Sequence, residues 1–235
     1  MNKQLFGYPP MLPNQLFDNW FWQLLINERL RFLFAKTRFF FLKKNLKFYK
    51  GEKKENYNNV IVEYNAAFHD AAFGCGGRMK MLLHPLVAFF YPDFNKKLLI
   101  VGPRTEDDII WAKALGFKSV RGLDLFSYSP WIDIGDMHDT EYPDESFDAV
   151  LLAWTLPYTR HPEVMVSEMK RVLKVGGILG LAWHHISDHS ILLNDNVRLN
   201  NLNTKDEIIG LMGGDIQMAL SLSSNTEYQV VFTKY

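Results

Sequence analysis

A glycine and an acidic residue are spaced as in a nucleoside-binding crevice. Gly102 follows a short apolar run at residues 98–101, and Asp124 follows a second run at residues 119–123, 22 positions after the glycine. Glycine lets the backbone approach a ligand closely, and a carboxylate at that distance can accept hydrogen bonds from both hydroxyls of an adenosine ribose. The pair predicts an adenosine site but does not by itself distinguish one adenosine cofactor from another.

The segment between these residues predicts a helix over residues 105–115. Thr105 is suited to cap the first turn, and Asp108, three residues later, completes a capping-box pattern. Backbone N–H groups at the amino terminus of this helix would face a ligand at the end of the preceding strand. The alternative interpretation is a plain strand-to-helix turn without a ligand.

Strand and helix patterns alternate over the last 140 positions. Short apolar runs occupy residues 98–101, 119–123, 147–153 and 177–183, and helical patterns occupy residues 105–115 and 162–173. Such alternation predicts a parallel sheet of right-handed βαβ units. Residues 215–222 and 227–235 read as two strands joined by a tight turn. The sequence therefore predicts an α/β, Rossmann-like, doubly wound and mostly parallel sheet with a terminal antiparallel strand.

The first 95 residues have a different pattern, which predicts an aromatic and basic helical extension (1–59) and a helical cap (60–95) before the sheet domain (96–235). Residues 16–50 contain no proline or glycine, and ten Lys or Arg residues lie between Arg29 and Lys54 against one acid, Glu52. One or two helices are expected there. We rank a lid or homo-oligomer contact first for this segment, peripheral membrane contact second and nucleic acid last.

Composition excludes several classes of protein. The net charge is zero, so no overall charge attracts nucleic acid, and Cys75 is the single cysteine, which excludes an internal disulfide or a multi-thiolate zinc site. No apolar stretch reaches the 18 residues expected of a transmembrane helix. The start of the chain does not resemble a signal peptide, because charged residues interrupt its apolar stretch. A cytoplasmic location is expected.

Two longer stretches carry a family resemblance. They read IGDMHDTEYPDESFDAVLLAW (residues 134–154) and EMKRVLKVGGILGLAW (residues 168–183). Their order and spacing resemble the class I S-adenosylmethionine-dependent methyltransferases over residues 97–183. The resemblance implies a Rossmann-like fold, S-adenosyl-L-methionine as cofactor and methyl transfer as activity.

The resemblance also assigns roles to individual residues. It implies that Asp136 holds the adenine amino group and that the backbone N–H of Met137 contacts the adenine ring, beside the ribose site at Asp124. The full set of cofactor contacts that it implies is Gly102, Pro103, Arg104, Asp124, Leu125, Asp136, Met137, Ala153 and Trp154. The chain departs from the family in its first motif, where Pro103 and Arg104 replace the usual small residues, so the loop is expected to follow another path, with Arg104 or the neighbouring acids meeting the amino-acid end of the cofactor.

Four side chains are candidates for a general base, which an oxygen or nitrogen acceptor that carries a proton requires. They follow the predicted strands at residues 147–153 and 177–183, where the pocket should open: Tyr158, His161, His184 and His185, with His138 beside Asp136. Each of them, taken alone, is expected more often to be a loop or supporting residue than to be the base itself. His184, His185 and His189 do not have the spacing that defines a zinc site, so no metal is predicted.

The polar residues of the cap are the remaining candidates. Arg78, Lys80 and His84 are placed to shape the acceptor site, although the apolar face of this helix is expected to pack on the sheet. The sequence thus predicts a methyltransferase that acts on an oxygen or nitrogen of a small-molecule or glycan acceptor, in bacterial surface-polysaccharide or accessory metabolism. The alternative is a non-catalytic scaffold of the same fold; an NAD-dependent enzyme would need a glycine fingerprint that is missing.

Overall fold

The computed structural model describes residues 20–50, 77–159, 161–184, 192–194, 197–198, 204–223 and 227–235. Its helices are α1 (Trp20–Leu24), α2 (Glu28–Leu42), α3 (Gly77–Phe90), α4 (Asp107–Ala114), α5 (Pro162–Val172) and α6 (Lys205–Met212). Its strands are β1 (Lys47–Phe48), β2 (Lys97–Val101), β3 (Ser119–Asp124), β4 (Phe126–Ser127), β5 (Ile132–Ile134), β6 (Phe147–Ala153), β7 (Leu173–His184), β8 (Leu192–Asn194), β9 (Val197–Arg198), β10 (Ile216–Ser223) and β11 (Glu227–Lys234).

A seven-stranded sheet organises the molecule, with the order β10-β11-β7-β6-β2-β3-β5. The five strands from β7 to β5 run parallel, whereas β11 is antiparallel to β7 and β10 is antiparallel to β11. The predicted mixed α/β fold is confirmed. The strands β1, β4 and β5 were not predicted from the sequence, because runs of two or three residues have almost no periodicity.

The sheet is buried on both faces, and alternate side chains of each strand pack into opposite cores. Leu98 and Ile100 of β2 belong to one apolar core, which includes residues of α3 and α4. Leu99 and Val101 of the same strand belong to a second core, which includes residues of α5 and α6. Parallel strands thus lie between two helical layers, and their carboxyl ends meet at one edge.

α4 is covered on two sides. Ile109 and Ala112 lie in the sheet core, while Ile110 and Ala114 form a separate cluster with Leu25 and Ala35 of the amino-terminal segment. The helical prediction for residues 16–50 is therefore confirmed over α1 and α2. Past α2, the short strand β1 pairs antiparallel with β4. No helix in the described part of the chain has the length and apolar content needed to cross a bilayer.

The start of α4 differs from the predicted capping box. Glu106, not Thr105, occupies the N-cap position, and its side chain makes no capping bond. The Thr105 hydroxyl instead accepts the N–H of Asp107 at 3.4 Å. Glu106 is fully buried and its carboxylate binds Arg38 of α2, so a tertiary ion pair takes the side chain that would otherwise cap locally.

Candidate functional site

The two predicted cofactor-binding aspartates follow neighbouring strands. Asp124 ends β3, where it lies in register with Ile134, the last residue of β5. Asp136 comes two residues after Ile134, and the N–H of Gly135 between them donates to the carbonyl oxygen of Asp124 at 3.0 Å. The carboxyl ends of parallel strands form the crevice in which open α/β sheets bind ligands. Both acids therefore lie at the edge where a nucleoside is expected.

Backbone amides hold the Asp124 carboxylate. The N–H of Arg104 donates to its Oδ2 at 2.9 Å, and the amides of Leu125 and Phe126 also donate to it. Burial raises the pKa of Asp124 from 3.8 to about 6, and these N–H groups limit the rise. Removing the carboxylate from water disfavours its charge more than the amides restore it. The group is fixed in place by the loop that follows β2.

That loop approaches its neighbour closely at Gly102. The glycine has φ +69°, and a Cβ atom there would lie 2.9 Å from Oγ1 of Thr155. The Thr155 hydroxyl in turn donates to the carbonyl of Val101 at 3.0 Å. Pro103 is buried, and its Cγ atom would lie 2.9 Å from a Cβ atom at position 122, which is also a glycine. A side chain at position 102 would force the β2 and β6 loops apart.

Arg104 spans the opening between the loops that follow β2 and β6. Its backbone has φ +55°, a conformation usually left to glycine. Its guanidinium donates to the hydroxyl of Tyr158 at 3.0 Å and lies 5.7 Å from the centre of that ring. Trp154, at the end of β6, also has positive φ, +60°, and its N–H donates to the carbonyl of Ala182 at 2.7 Å. The two loops are thus joined by an arginine where the family carries small residues.

A chain of hydrogen bonds begins at Asp136. Its Oδ1 accepts the backbone N–H of His138 at 2.9 Å and lies 2.5 Å from Nδ1 of the same imidazole. The other ring nitrogen, Nε2, lies 2.6 Å from Oγ1 of Thr159, which is buried. His161 packs edge-on against His138 with ring centres 6.4 Å apart. The Asp136 turn is therefore connected to the segment after β6 through one histidine.

Helix α5 supports the same turn from behind. Glu168 accepts both the N–H and the hydroxyl of Thr140, each at 2.7 Å. Arg171 donates to Glu168 as well, and this bond, together with those of Thr140, lowers the pKa of Glu168 to about 2. A charge-assisted pair of this kind fixes geometry as well as charge. It holds the residues that follow Asp136 against the helix.

The remaining predicted residues divide into three groups. Met137 packs against the second core, and Ala153 is a partly buried residue at the end of β6. Lys80 and His84 of α3 contact Glu28 and Trp111, and burial lowers the pKa of His84, so these side chains lie beside the amino-terminal helices. The backbone of His184 ends β7, opposite Glu227; the side chains of Arg78 and His184 and the whole of His185 and His189 lie outside the described residues.

Sequence reasoning missed three residues that shape the site. They are Thr155, which limits the space at Gly102; Thr159, which ends the Asp136 hydrogen-bond chain; and Glu168, which holds Thr140. Threonine and glutamate in a loop or on a helix carry no pattern that marks such partners. Among the described residues, no group of three or more His, Cys, Asp or Glu side chains is arranged to hold a metal ion.

The donor set fits the cofactor that the resemblance implies. At the nucleoside end there are a fixed carboxylate, Asp124, and a second one at Asp136. Arg104, on the loop that follows β2, supplies a cation, which suits a carboxylate such as that of a methionine moiety. The chemistry of the residues is therefore complementary to both ends of S-adenosylmethionine.

Comparisons with known proteins agree with this geometry. The model of the family described as "Methyltransferase domain" matches residues 110–181. A comparison with curated proteins gives no match. Among solved structures, PH0226 from Pyrococcus horikoshii OT3 is 17% identical with a TM-score of 0.52, covering 66% of this chain and 89% of its own. A chain of the complex that contains the Haloferax volcanii Trm112 methyltransferase activator is 15% identical, with a TM-score of 0.55 and coverages of 73% and 96%.

A third similar structure was solved with the cofactor bound. Geranyl diphosphate methyltransferase in complex with SAM is 12% identical to the chain, with a TM-score of 0.51, and the match covers 79% of this chain and 93% of that one. At such low identity these three structures establish a shared fold. The family model adds that the segment from α4 to β7 has a methyltransferase sequence pattern.

Proposed function

Because the chain is a class I S-adenosylmethionine-dependent methyltransferase, we propose that it transfers the methyl group to an oxygen or nitrogen atom of a small-molecule or glycan acceptor. One observation carries the site assignment: Asp124 and Asp136 follow adjacent strands at the carboxyl edge of the sheet. That edge is where a nucleoside cofactor binds in folds of this class.

Each residue of the site has a distinct role in holding the cofactor. Asp124 accepts the ribose hydroxyls, and Asp136 with the N–H of Met137 contacts the adenine. Arg104 binds the carboxylate of the amino-acid end through donors that Tyr158 does not use, since a guanidinium has five N–H groups. Gly102 lets the loop after β2 approach Thr155 of the loop after β6, which a side chain at this position would prevent. Leu125, Pro103, Ala153 and Trp154 form the surrounding walls.

The cofactor itself supplies a methyl group on a cationic sulfur, which makes the transfer favourable. The role of the protein is then to align the acceptor with that methyl group. Such alignment contributes on the order of 7–11 kcal/mol to rate acceleration. The bond from Thr155 to Val101 and the contact of Arg104 with Tyr158 keep the two loops at a fixed separation. Fixed walls are what such alignment requires.

His161 is the best placed described candidate for a general base. Its side chain is 56% exposed, its Nδ1 lies 3.8 Å from Oε1 of Glu163, and its ring contacts His138 beside Asp136. An imidazole at an open edge can accept the proton that an O–H or N–H acceptor loses, and the carboxylate stabilises the resulting charge.

Calorimetric titration with S-adenosylhomocysteine tests the site. Asp124→Ala and Asp136→Ala should each weaken binding by about 1–3 kcal/mol, the usual cost of losing hydrogen bonds to a charged group. Glu141→Ala, which removes an exposed acid of the same loop, is the matched control and should bind like the native chain. Native affinity in both aspartate variants would show that the cofactor is held elsewhere.

A second candidate function is a non-catalytic scaffold of the same fold. The observation that favours it is the guanidinium of Arg104, which reaches Tyr158 across the space where small residues usually stand. The titration separates the two functions, because a scaffold would not bind S-adenosylhomocysteine at any concentration tested. Binding by the native chain together with weaker binding by the aspartate variants would exclude it.

A further inference from the structure

Helix α2 buries arginine side chains and leaves several large apolar side chains exposed. Arg31 and Ala35 are buried against the rest of the molecule, and Arg38 is largely buried beside them. In contrast, Leu33, Phe40 and Phe41 are 62%, 64% and 66% exposed. A helix that packs on a globular domain normally does the opposite. Its outward apolar residues are therefore not explained by folding of the chain alone.

Two ion pairs fix the helix in this rotation. Nε of Arg31 lies 3.2 Å from Oδ1 of Asp107, and both side chains are buried. Arg38 donates to both carboxylate oxygens of the fully buried Glu106, at 2.6 and 2.9 Å. Turning the apolar residues inward would break both pairs and leave buried carboxylates uncompensated, which is strongly unfavourable. The apolar face stays exposed in the folded chain.

Four exposed apolar residues of α2, Leu30, Leu33, Phe40 and Phe41, make up what we call the α2 surface. These residues share one side of the helix, since positions three, seven and eleven apart project in similar directions. Nine of the sixteen exposed large hydrophobic residues in the described part of the chain lie between residues 20 and 48. They are Trp20, Leu24, Ile26, Leu30, Leu33, Phe40, Phe41, Leu46 and Phe48. Exposed apolar area that is clustered in this way marks an interaction site.

The charge around the α2 surface has a single sign. No acidic residue occurs from Arg29 to Lys50, and Glu28, just before, binds Lys80 at 2.9 Å. Exposed basic residues border the apolar ones along the helix and after it: Arg29, Lys36, Lys43, Lys44, Lys47 and Lys50. Aromatic and aliphatic side chains bordered by lysines are the composition of segments that lie in the interface of an anionic bilayer.

We propose that the α2 surface binds an anionic membrane, with the apolar side chains among the acyl chains and the lysines at the headgroups. A second copy docked through the same face would oppose two sets of cations without an acid between them, because such dimer interfaces are self-complementary. Nucleic acid would contact the lysines but would leave Leu30 and Leu33 in water, since bases stack on aromatic rings and not on aliphatic side chains. A lipid surface satisfies the charge and the apolar area together.

Sedimentation of the full chain with lipid vesicles tests this assignment. We expect binding to phosphatidylcholine vesicles that contain phosphatidylglycerol and little or none to phosphatidylcholine alone. Lys36→Gln with Lys43→Gln should weaken binding about 25-fold, since each basic residue near an anionic surface contributes a factor of about five. Leu33→Ser with Phe40→Ser should weaken it at least as much. Val175→Ser with Leu222→Ser, two exposed apolar residues elsewhere, should bind like the native chain.

Three outcomes would overturn the proposal. The first is absence of binding to both kinds of vesicle; the second is binding that the lysine variant leaves unchanged. The third is concentration-dependent self-association or oligonucleotide binding that Leu33→Ser with Phe40→Ser abolishes while vesicle binding persists, because another partner would then use this surface. All substituted side chains are exposed, so unfolding curves that match the native chain are expected. Titration with S-adenosylhomocysteine is a separate measurement, so failure here leaves the cofactor site untouched.

Discussion

Two residues other than glycine adopt left-handed backbone at the ends of adjacent strands, Arg104 after β2 and Trp154 after β6. Each such conformation costs roughly 1–3 kcal/mol and persists only where the surroundings determine it. Here the N–H of Arg104 is held by Asp124 and that of Trp154 by Ala182. The strain lies where the cofactor is expected, and backbone hydrogen bonds hold both residues in this conformation.

The raised pKa of Asp124 predicts a pH-dependent affinity. Its carboxyl group titrates near pH 6 in the folded, unliganded chain, and ribose hydroxyls donate hydrogen bonds to the ionised form. Binding therefore releases a proton at low pH, and affinity for S-adenosylhomocysteine should fall by up to about tenfold per unit below pH 6 while staying level above it. Calorimetry between pH 5 and about pH 8 measures this. Asp124→Asn should remove the dependence; if the slope survives in that variant, another group causes it.

The role of Arg104 is tested by ligands that differ at one end. Arg104→Ala should weaken S-adenosylhomocysteine binding by about 1.5–3 kcal/mol, because a charge-assisted hydrogen bond to its carboxylate is lost. Methylthioadenosine, which has no amino-acid end, should bind the variant as it binds the native chain. Tighter binding of S-adenosylhomocysteine by the variant would instead mean that the arginine occludes the site.

At the scale of elements, α4 is the point at which the site and the amino-terminal segment meet. Its first turn follows the loop with Gly102 and Arg104, and its other side packs on Leu25 and Ala35. Acids at a helix amino terminus are favoured by the helix dipole. In this chain Glu106 and Asp107 are in addition paired with the arginines of α2, so the α2 ion pairs support the helix that borders the cofactor loop.

Arg38→Met measures that support. The fully buried carboxylate of Glu106 would keep Ser129 as a neighbour but lose its guanidinium, and we expect the free energy of unfolding to fall by about 3 kcal/mol. Urea denaturation gives this value. Adding Glu106→Gln, which removes the uncompensated charge, should restore part of the loss. If Arg38→Met unfolds at the native urea concentration, the pair contributes nothing and the orientation of α2 must have another cause.

At the scale of the whole molecule, the amino-terminal helices and the sheet domain share one boundary. Residues 20–48 pack on Ile110 and Ala114 of α4 and on Trp131, and their strand β1 pairs with β4. The predicted division at residue 59 falls outside the described residues and stays a prediction. The contacts that residues 20–48 make with the sheet domain nevertheless indicate that the extension and the sheet domain unfold together.

Truncation tests this unity. A chain that begins after residue 45 loses α1 and α2 and exposes the apolar side of α4, so it should unfold at lower urea concentration than the full chain or aggregate. The full chain should unfold in one transition that fluorescence and circular dichroism report identically. Equal midpoints for the two chains would establish that the extension is a separable unit.

Local patterns in the sequence determined the order of strands and helices along the chain and the place of Asp124, and the family resemblance added Asp136. Those features depend on periodicity and on short spacings within one βαβ unit, which adjacent residues specify. β5 and the cap at Glu106 were missed, because a three-residue strand has no period and a tertiary partner removed the capping side chain.

Only the tertiary structure decided which side chains meet across those elements. The contact of Arg104 with Tyr158 joins residues 54 positions apart, and the pairs of Arg38 with Glu106 and of Arg31 with Asp107 join residues 68 and 76 positions apart. Nothing in a local window specifies a partner at that distance. From the sequence alone, the arginines of a basic, aromatic helix are expected at the surface. In the structure Arg31 and Arg38 pair with acids of the sheet domain, while Phe40 and Phe41 are exposed.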